Sequence, residues 1–137
     1  MSQFAFGYTN TTAEGNQTET YTNLTVEYYN QTIVTLGHPG IALPAASFVK
    51  FATALNNLSN NVWNCTQRMG YICAAPVSCS AFVGGPGSSY NLTGLDFRIV
   101  FETQEDRYLR IPLTALMRNS LTVPSMCEIL VYYLYTG

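Results

Sequence analysis

The sequence predicts a mainly β domain with one short helix over about residues 45–57. The expected architecture is a β-sandwich or barrel-like single lobe held by two disulfides. Three observations point there. Short runs of alternating apolar and polar residues recur along the chain, which is the two-residue period of half-buried strands. Only the segment from Phe48 to Leu58 carries apolar residues at helical spacing. Four cysteines accompany a dense set of N-glycosylation acceptor sites, a combination that belongs to an oxidising compartment.

In chain order, Phe4, Phe6 and Tyr8 alternate with Ala5 and Gly7, giving a first short strand. Asn10 to Gln17 is polar and turn-rich. Residues 1–22 therefore divide off as an N-terminal strand with a glycan-bearing tether, and residues 23–137 form the β-rich body. Leu24, Val26 and Tyr28 alternate with polar neighbours, and Thr32 to Leu36 reads as another strand, stopped by Gly37-His38-Pro39-Gly40. Pro44 suits the first turn of the helix, whose apolar stripe is Phe48, Phe51, Ala52, Leu55 and Leu58. Asn56, Asn57 and then Ser59-Asn60-Asn61 weaken and end it. Cys65 to Tyr90 reads as loop, most flexible at Gly84 to Ser89. Next comes the clearest hairpin. Leu95, Phe97, Ile99 and Phe101 share one face, a polar turn spans Thr103 to Asp106, and Leu109, Ile111 and Leu113 return. Glu128 to Tyr135 is apolar on both faces and reads as a buried last strand.

Charged residues are only 10% of the chain, against roughly 25% in an average domain. The net charge is −2, no Lys or Arg precedes Lys50, and the six basic residues form no cluster. Phosphate neutralisation needs a basic patch, so a nucleic-acid partner is excluded. No apolar run approaches the roughly 20 residues of a membrane-spanning helix. Met1 to Gly7 lacks the basic and apolar regions of a signal peptide, so secretion implies a leader already removed or a longer precursor.

Acceptor sites N-x-[ST] stand at Asn10, Asn16, Asn23, Asn30, Asn57, Asn64 and Asn91. Chance at this composition gives about two, so the excess points to N-linked glycans that provide the hydrophilic surface the missing charges would supply. The cysteines are Cys65, Cys73, Cys79 and Cys127. Their spacing, with no C-x-x-C and a single distant His38, is that of disulfides and not of a zinc site.

The stretch Thr32-Ile33-Val34-Thr35-Leu36-Gly37-His38-Pro39-Gly40-Ile41-Ala42-Leu43-Pro44 resembles the second lobe of pepsin-like aspartic proteases. There a strand enters an Asp-Thr/Ser-Gly loop, followed by an apolar segment, Leu-Pro and a helix. Gly37, Leu43 and Pro44 keep the pattern, the helix after Pro44 matches in place, and Leu95 to Leu113 looks like the paired strands behind the lobe's first cysteine. The resemblance covers about 100 residues. It implies that Cys79 pairs with Cys127, which leaves Cys65 with Cys73. It also places Thr35 where the catalytic Asp belongs, and the strand carrying Leu-Gly-Asp is absent. Two carboxylates must share a proton for that chemistry, and Thr cannot ionise, so the resemblance implies a lobe without catalysis.

Other catalytic arrangements fare no better. His38 sits in a Gly-Pro-Gly turn, Ser88 and Ser89 lie in a glycine loop without a nucleophile elbow, and Asp96, Glu102, Glu105 and Asp106 read as solvated groups of the hairpin. No catalytic residues, metal or cofactor are expected, and N-linked glycans are the expected non-protein component. The function expected is that of a non-enzymatic structural glycoprotein, extracellular or at the cell surface, which self-associates into a filament, coat or appendage. Phe4, Phe6 and Tyr8 would act as a donor strand completing the sheet of a neighbouring copy. The alternative is a protease-like lobe that recognises a peptide or glycan, with Tyr21, Tyr28, Tyr29, Tyr90, Tyr108, Tyr132, Tyr133 and Tyr135 supplying aromatic surface.

Overall fold

The computed structural model describes residues 3–24, 33–34, 40–66, 71–84, 92–101 and 104–134. The chain is mainly β, with one α-helix and two disulfides. The described strands form three sheets around a shared core.

The first sheet is antiparallel, in the order β2-β1-β7-β8. It contains β1 (Gln3–Thr11), β2 (Gln17–Asn23), β7 (Leu95–Phe101) and β8 (Gln104–Pro112). A tight turn joins β1 to β2: Thr12 N–H donates to Asn16 O at 2.7 Å, and Gly15 takes the left-handed conformation at φ 85°. This arrangement corrects two expectations. Residues 12–22 are not a tether, because most of them form β2. Residues 3–9 are not a free strand: β1 is hydrogen-bonded on both edges within its own chain. Phe6 pairs with Thr22 on one side and Phe97 on the other. The reason is hydrophobic. Phe4 and Phe6 are each 1% exposed, and Tyr8 is half-buried on the same face. Burying each Phe contributes roughly 1.5–3 kcal/mol.

The α-helix, α1, spans Ala45–Leu58 and buries Phe48, Phe51, Ala52 and Leu55, with Phe51 against this sheet and Phe48 edge-on to Tyr133 at 5.4 Å. Phe6 meets Phe51 edge-on at 4.9 Å and Phe97 at 4.9 Å, and Phe51 meets Phe97 at 5.3 Å. Pro44 proves to be the N-cap, one position before the first turn, and it gives no side-chain cap. Ser47 Oγ anchors this end instead by donating to the Leu24 carbonyl. At the other end Asn60 and Asn61 turn left-handed and stop the helix. Leu58, expected in the stripe, is exposed. It is the last residue of α1, about one turn beyond Leu55, the last buried position of the stripe.

The second sheet was not visible in the sequence, where residues 65–90 read as loop. It runs β5-β6-β10-β9, antiparallel, from β5 (Asn64–Cys65), β6 (Cys73–Ala75), β9 (Met117–Asn119) and β10 (Cys127–Ile129). Its strands are too short to show a two-residue period, and disulfides tie them. Cys65 bonds Cys73 across the β5–β6 pair, and Cys79 bonds Cys127. Both pairings are those the resemblance implied. Trp63 and Phe82 stack beneath this sheet at 4.7 Å.

The third sheet, β11-β4-β3, pairs β11 (Val131–Leu134) parallel to β4 (Ile41–Pro44), with β3 (Ile33–Val34) antiparallel to β4. The expected last strand is thus two strands serving different sheets, with the switch at Leu130. Gly40 permits that crossing. At φ 113° it lies so close that a Cβ would fall 2.2 Å from the Leu130 carbonyl oxygen, to which Ile41 N–H donates. In the hairpin, Gln104 to Asp106 belong to β8, so the turn is shorter than expected. Leu109 is exposed, because β8 is an edge strand of its sheet. Among the described residues no helix is long and apolar enough to cross a membrane.

Candidate functional site

The outer face of the first sheet carries small residues along its middle strand: Ala5, Gly7 and Thr9 on β1. Flanking strands supply the larger polar groups. Tyr21 on β2 and Asp96 on β7 both stand opposite Gly7. A Cβ at Gly7 would fall 1.9 Å from the Thr20 carbonyl oxygen. With no side chain there, the Tyr21 phenol reaches across β1 and donates to Asp96 Oδ1 at 2.7 Å. Arg110 on β8 places Nε 3.0 Å from Asp96 Oδ2. Arg98 lies over the Tyr21 ring, its Cζ 4.2 Å from the centroid, and donates to Glu19 Oε2 at 3.0 Å. Three strands, β2, β7 and β8, are thereby cross-linked by side chains from Glu19 to Arg110, over the top of β1.

Burial and charge set the chemistry. Asp96 is only 6% exposed, a correction to the solvated carboxylate expected from its place on the outward side of β7. It does point outward, but Tyr21 and Arg110 engage it. Tyr21 has its phenol pKa raised above the ordinary 10.0, first by burial and then by its bond to Asp96, against the lowering effect of Thr9. Glu19 is held below its ordinary 4.5 by the hydrogen bond from Arg98 and by that guanidinium's charge. Beside the Asp96–Arg110 pair lies a cavity of about 310 Å³, lined also by Thr9, Thr93, Gly94 and Pro112. That volume admits one small polar group, at the lower end of ligand-pocket sizes. Its polar groups, from Thr9, Thr93, Asp96 and Arg110, are hydrogen-bond donors and acceptors, and they stand beside the apolar Leu95 and Pro112. A phenol with a raised pKa does not furnish a base near neutrality.

The other residues singled out in the sequence fall in several places. Thr35, His38, Ser88, Ser89 and Glu102 lie outside the described residues, as do the acceptor sites Asn30 and Asn91. Asn10 lies in β1. Asn16, at the turn into β2, Asn23 at its far end, Asn57 on α1 and Asn64 on β5 all have exposed side chains. Of the hairpin acids, Asp96 stands apart from Glu105 and Asp106. Asp96 is committed to Tyr21 and Arg110, and Glu105 and Asp106 are at the far end of β8. The Tyr21–Asp96 contact joins residues 75 positions apart and had no local signal. The one hint was Gly7 inside an alternating strand, where a missing side chain marks a close approach. No family model, curated protein or solved structure matches the chain.

Proposed function

We propose that this chain is a non-catalytic, N-glycosylated extracellular lobe that recognises a small polar group of a peptide or glycan on the outer face of its first sheet. The observation that carries the reading is the Asp96–Arg110 pair at the wall of a cavity of about 310 Å³. A carboxylate and a guanidinium side by side offer an acceptor and several donors in fixed geometry, which suits recognition of hydroxyl or amide groups. The secreted part of the reading rests on the two disulfides and on the exposure of Asn16, Asn23, Asn57 and Asn64. The absence of catalysis rests on Thr35 in the place of the Asp that the pepsin-like resemblance requires.

Recognition is preferred to filament assembly because β1, the strand that would be exchanged, is central in its own sheet. Binding of the secreted protein to panels of oligosaccharides and short peptides tests the proposal. Wild type should bind a defined subset, and Arg110→Ala should abolish that binding while circular dichroism shows the fold retained, with some loss of melting temperature expected because the largely buried Asp96 loses its cation. A large polymer in native mass measurements, with no ligand bound, would refute the recognition reading in favour of a structural subunit.

A further inference from the structure

A second concavity runs between α1 and β2, at the edge of the first sheet. Its walls are Thr22, Val49, Lys50, Thr53, Ala54 and Asn57, and its volume is about 260 Å³. Five of these six residues come from one face of α1, at the three- and four-residue steps that bring helical side chains together. Asn57 begins the acceptor site Asn57-Leu58-Ser59. Helical Cα–Cβ bonds tilt toward the helix N-terminus, and a side chain covers the turn before its own Cα. The Asn57 amide is therefore aimed over Thr53 and Ala54, into the groove.

We propose that this groove seats the first N-acetylglucosamine of a glycan on Asn57, so that the sugar braces the last turns of α1 against the edge of β2. The chemistry of the walls fits such a sugar. Its C–H face can lie on the methyl groups of Val49 and Ala54, and its hydroxyl and acetamido edge meets the Lys50 ammonium and the Thr22 hydroxyl. Among the described residues Lys50 takes part in no ion pair. Thr53 Oγ1 already donates to the Val49 carbonyl at 2.9 Å, which keeps it low on the groove floor. The helix end has reason to need the brace: its last turn carries Asn56 and Asn57, poor helix formers, and no basic side chain to complement the helix dipole.

The inference rests on the chain being N-glycosylated, and the test separates the two ideas. The full chain is secreted from a eukaryotic host, glycan occupancy is mapped by peptide mass, and all glycans are trimmed to one sugar. Asn57→Gln should then lower the melting temperature by about 2–5 °C, beyond the change the same substitution causes in unglycosylated protein. Val49→Ser should lower it only when Asn57 carries its sugar, and amide exchange in residues 49–57 should be slower in that form. Occupancy at other acceptor sites but not at Asn57 would overturn the seat alone. So would an occupied Asn57 whose substitution changes neither melting nor exchange. Empty acceptor sites throughout would overturn the glycoprotein reading together with it.

Discussion

Replacing Phe6 with Ala tests the most consequential feature of this fold, the capture of β1 by its own chain. Phe6 is 1% exposed and its ring touches Phe51 and Phe97, both fully buried, at 4.9 Å each. Truncating a buried Phe costs about 3–5 kcal/mol, the transfer free energy of the ring plus the cavity left behind. The neighbours here are rings held by a helix and a central strand, which cannot easily collapse into the gap, so a value near 4 kcal/mol is expected. Unfolding entropy near 2.1 cal/mol/K per residue gives about 0.29 kcal/mol/K for 137 residues, so melting should fall by about 14 °C. Urea and thermal unfolding followed by circular dichroism would measure this, with Thr18→Ala on the exposed β2 as a control expected within about 0.5 kcal/mol. The decisive reading is the concentration dependence. A strand supplied by the same chain makes both melting temperatures independent of concentration over about a hundredfold range. A loss below about 1 kcal/mol, or a melting point that climbs with concentration, would show that β1 is not packed as described.

The two disulfides should differ in weight. Replacing Cys79 and Cys127 together with Ala opens a 48-residue separation and should cost about 4 kcal/mol in the chain-entropy model, against about 2.5 kcal/mol for the 8-residue separation of Cys65 and Cys73. Equal losses in denaturant unfolding would contradict that ranking. Gly7→Ala should destabilise by about 1–3 kcal/mol, the range for forced overpacking, because its Cβ meets the Thr20 carbonyl at 1.9 Å. If urea unfolding finds it neutral, β1 and β2 do not approach as closely as the structure has them. Tyr21 has a raised pKa, so the fold favours its neutral form. That contribution is complete below pH 10 and is lost as pH rises through the folded-state value. Phenolate absorbance should show one late-titrating group in wild type that is missing in Tyr21→Phe, and identical titrations would remove the Tyr21–Asp96 bond from the account.

Much of the architecture was legible in the residues themselves. The β7–β8 hairpin and α1 announce themselves because their periods are local. Leu95, Phe97 and Ile99 alternate over one strand, and Phe48, Phe51, Ala52 and Leu55 repeat over two turns. Phe4, Phe6 and Tyr8 likewise declare a strand with one apolar face, but nothing local says whose core that face enters. Only the pairing of Phe6 with Phe97, 91 positions away in the chain, decides that it is the chain's own. The second sheet escaped notice because strands of two or three residues hold no period; its order comes from disulfides and from pairing partners distant in sequence. The division of residues 127–134 between two sheets was hidden for a related reason, since the apolar run from Ile129 onward reads the same whether it serves one sheet or crosses between two. Asp96 marks the limit most clearly. Alternation correctly puts its side chain on the outer face, yet its burial depends on Tyr21 reaching over a glycine from another strand. Periodicity records which way a side chain points, whereas tertiary packing alone determines what lies there to meet it.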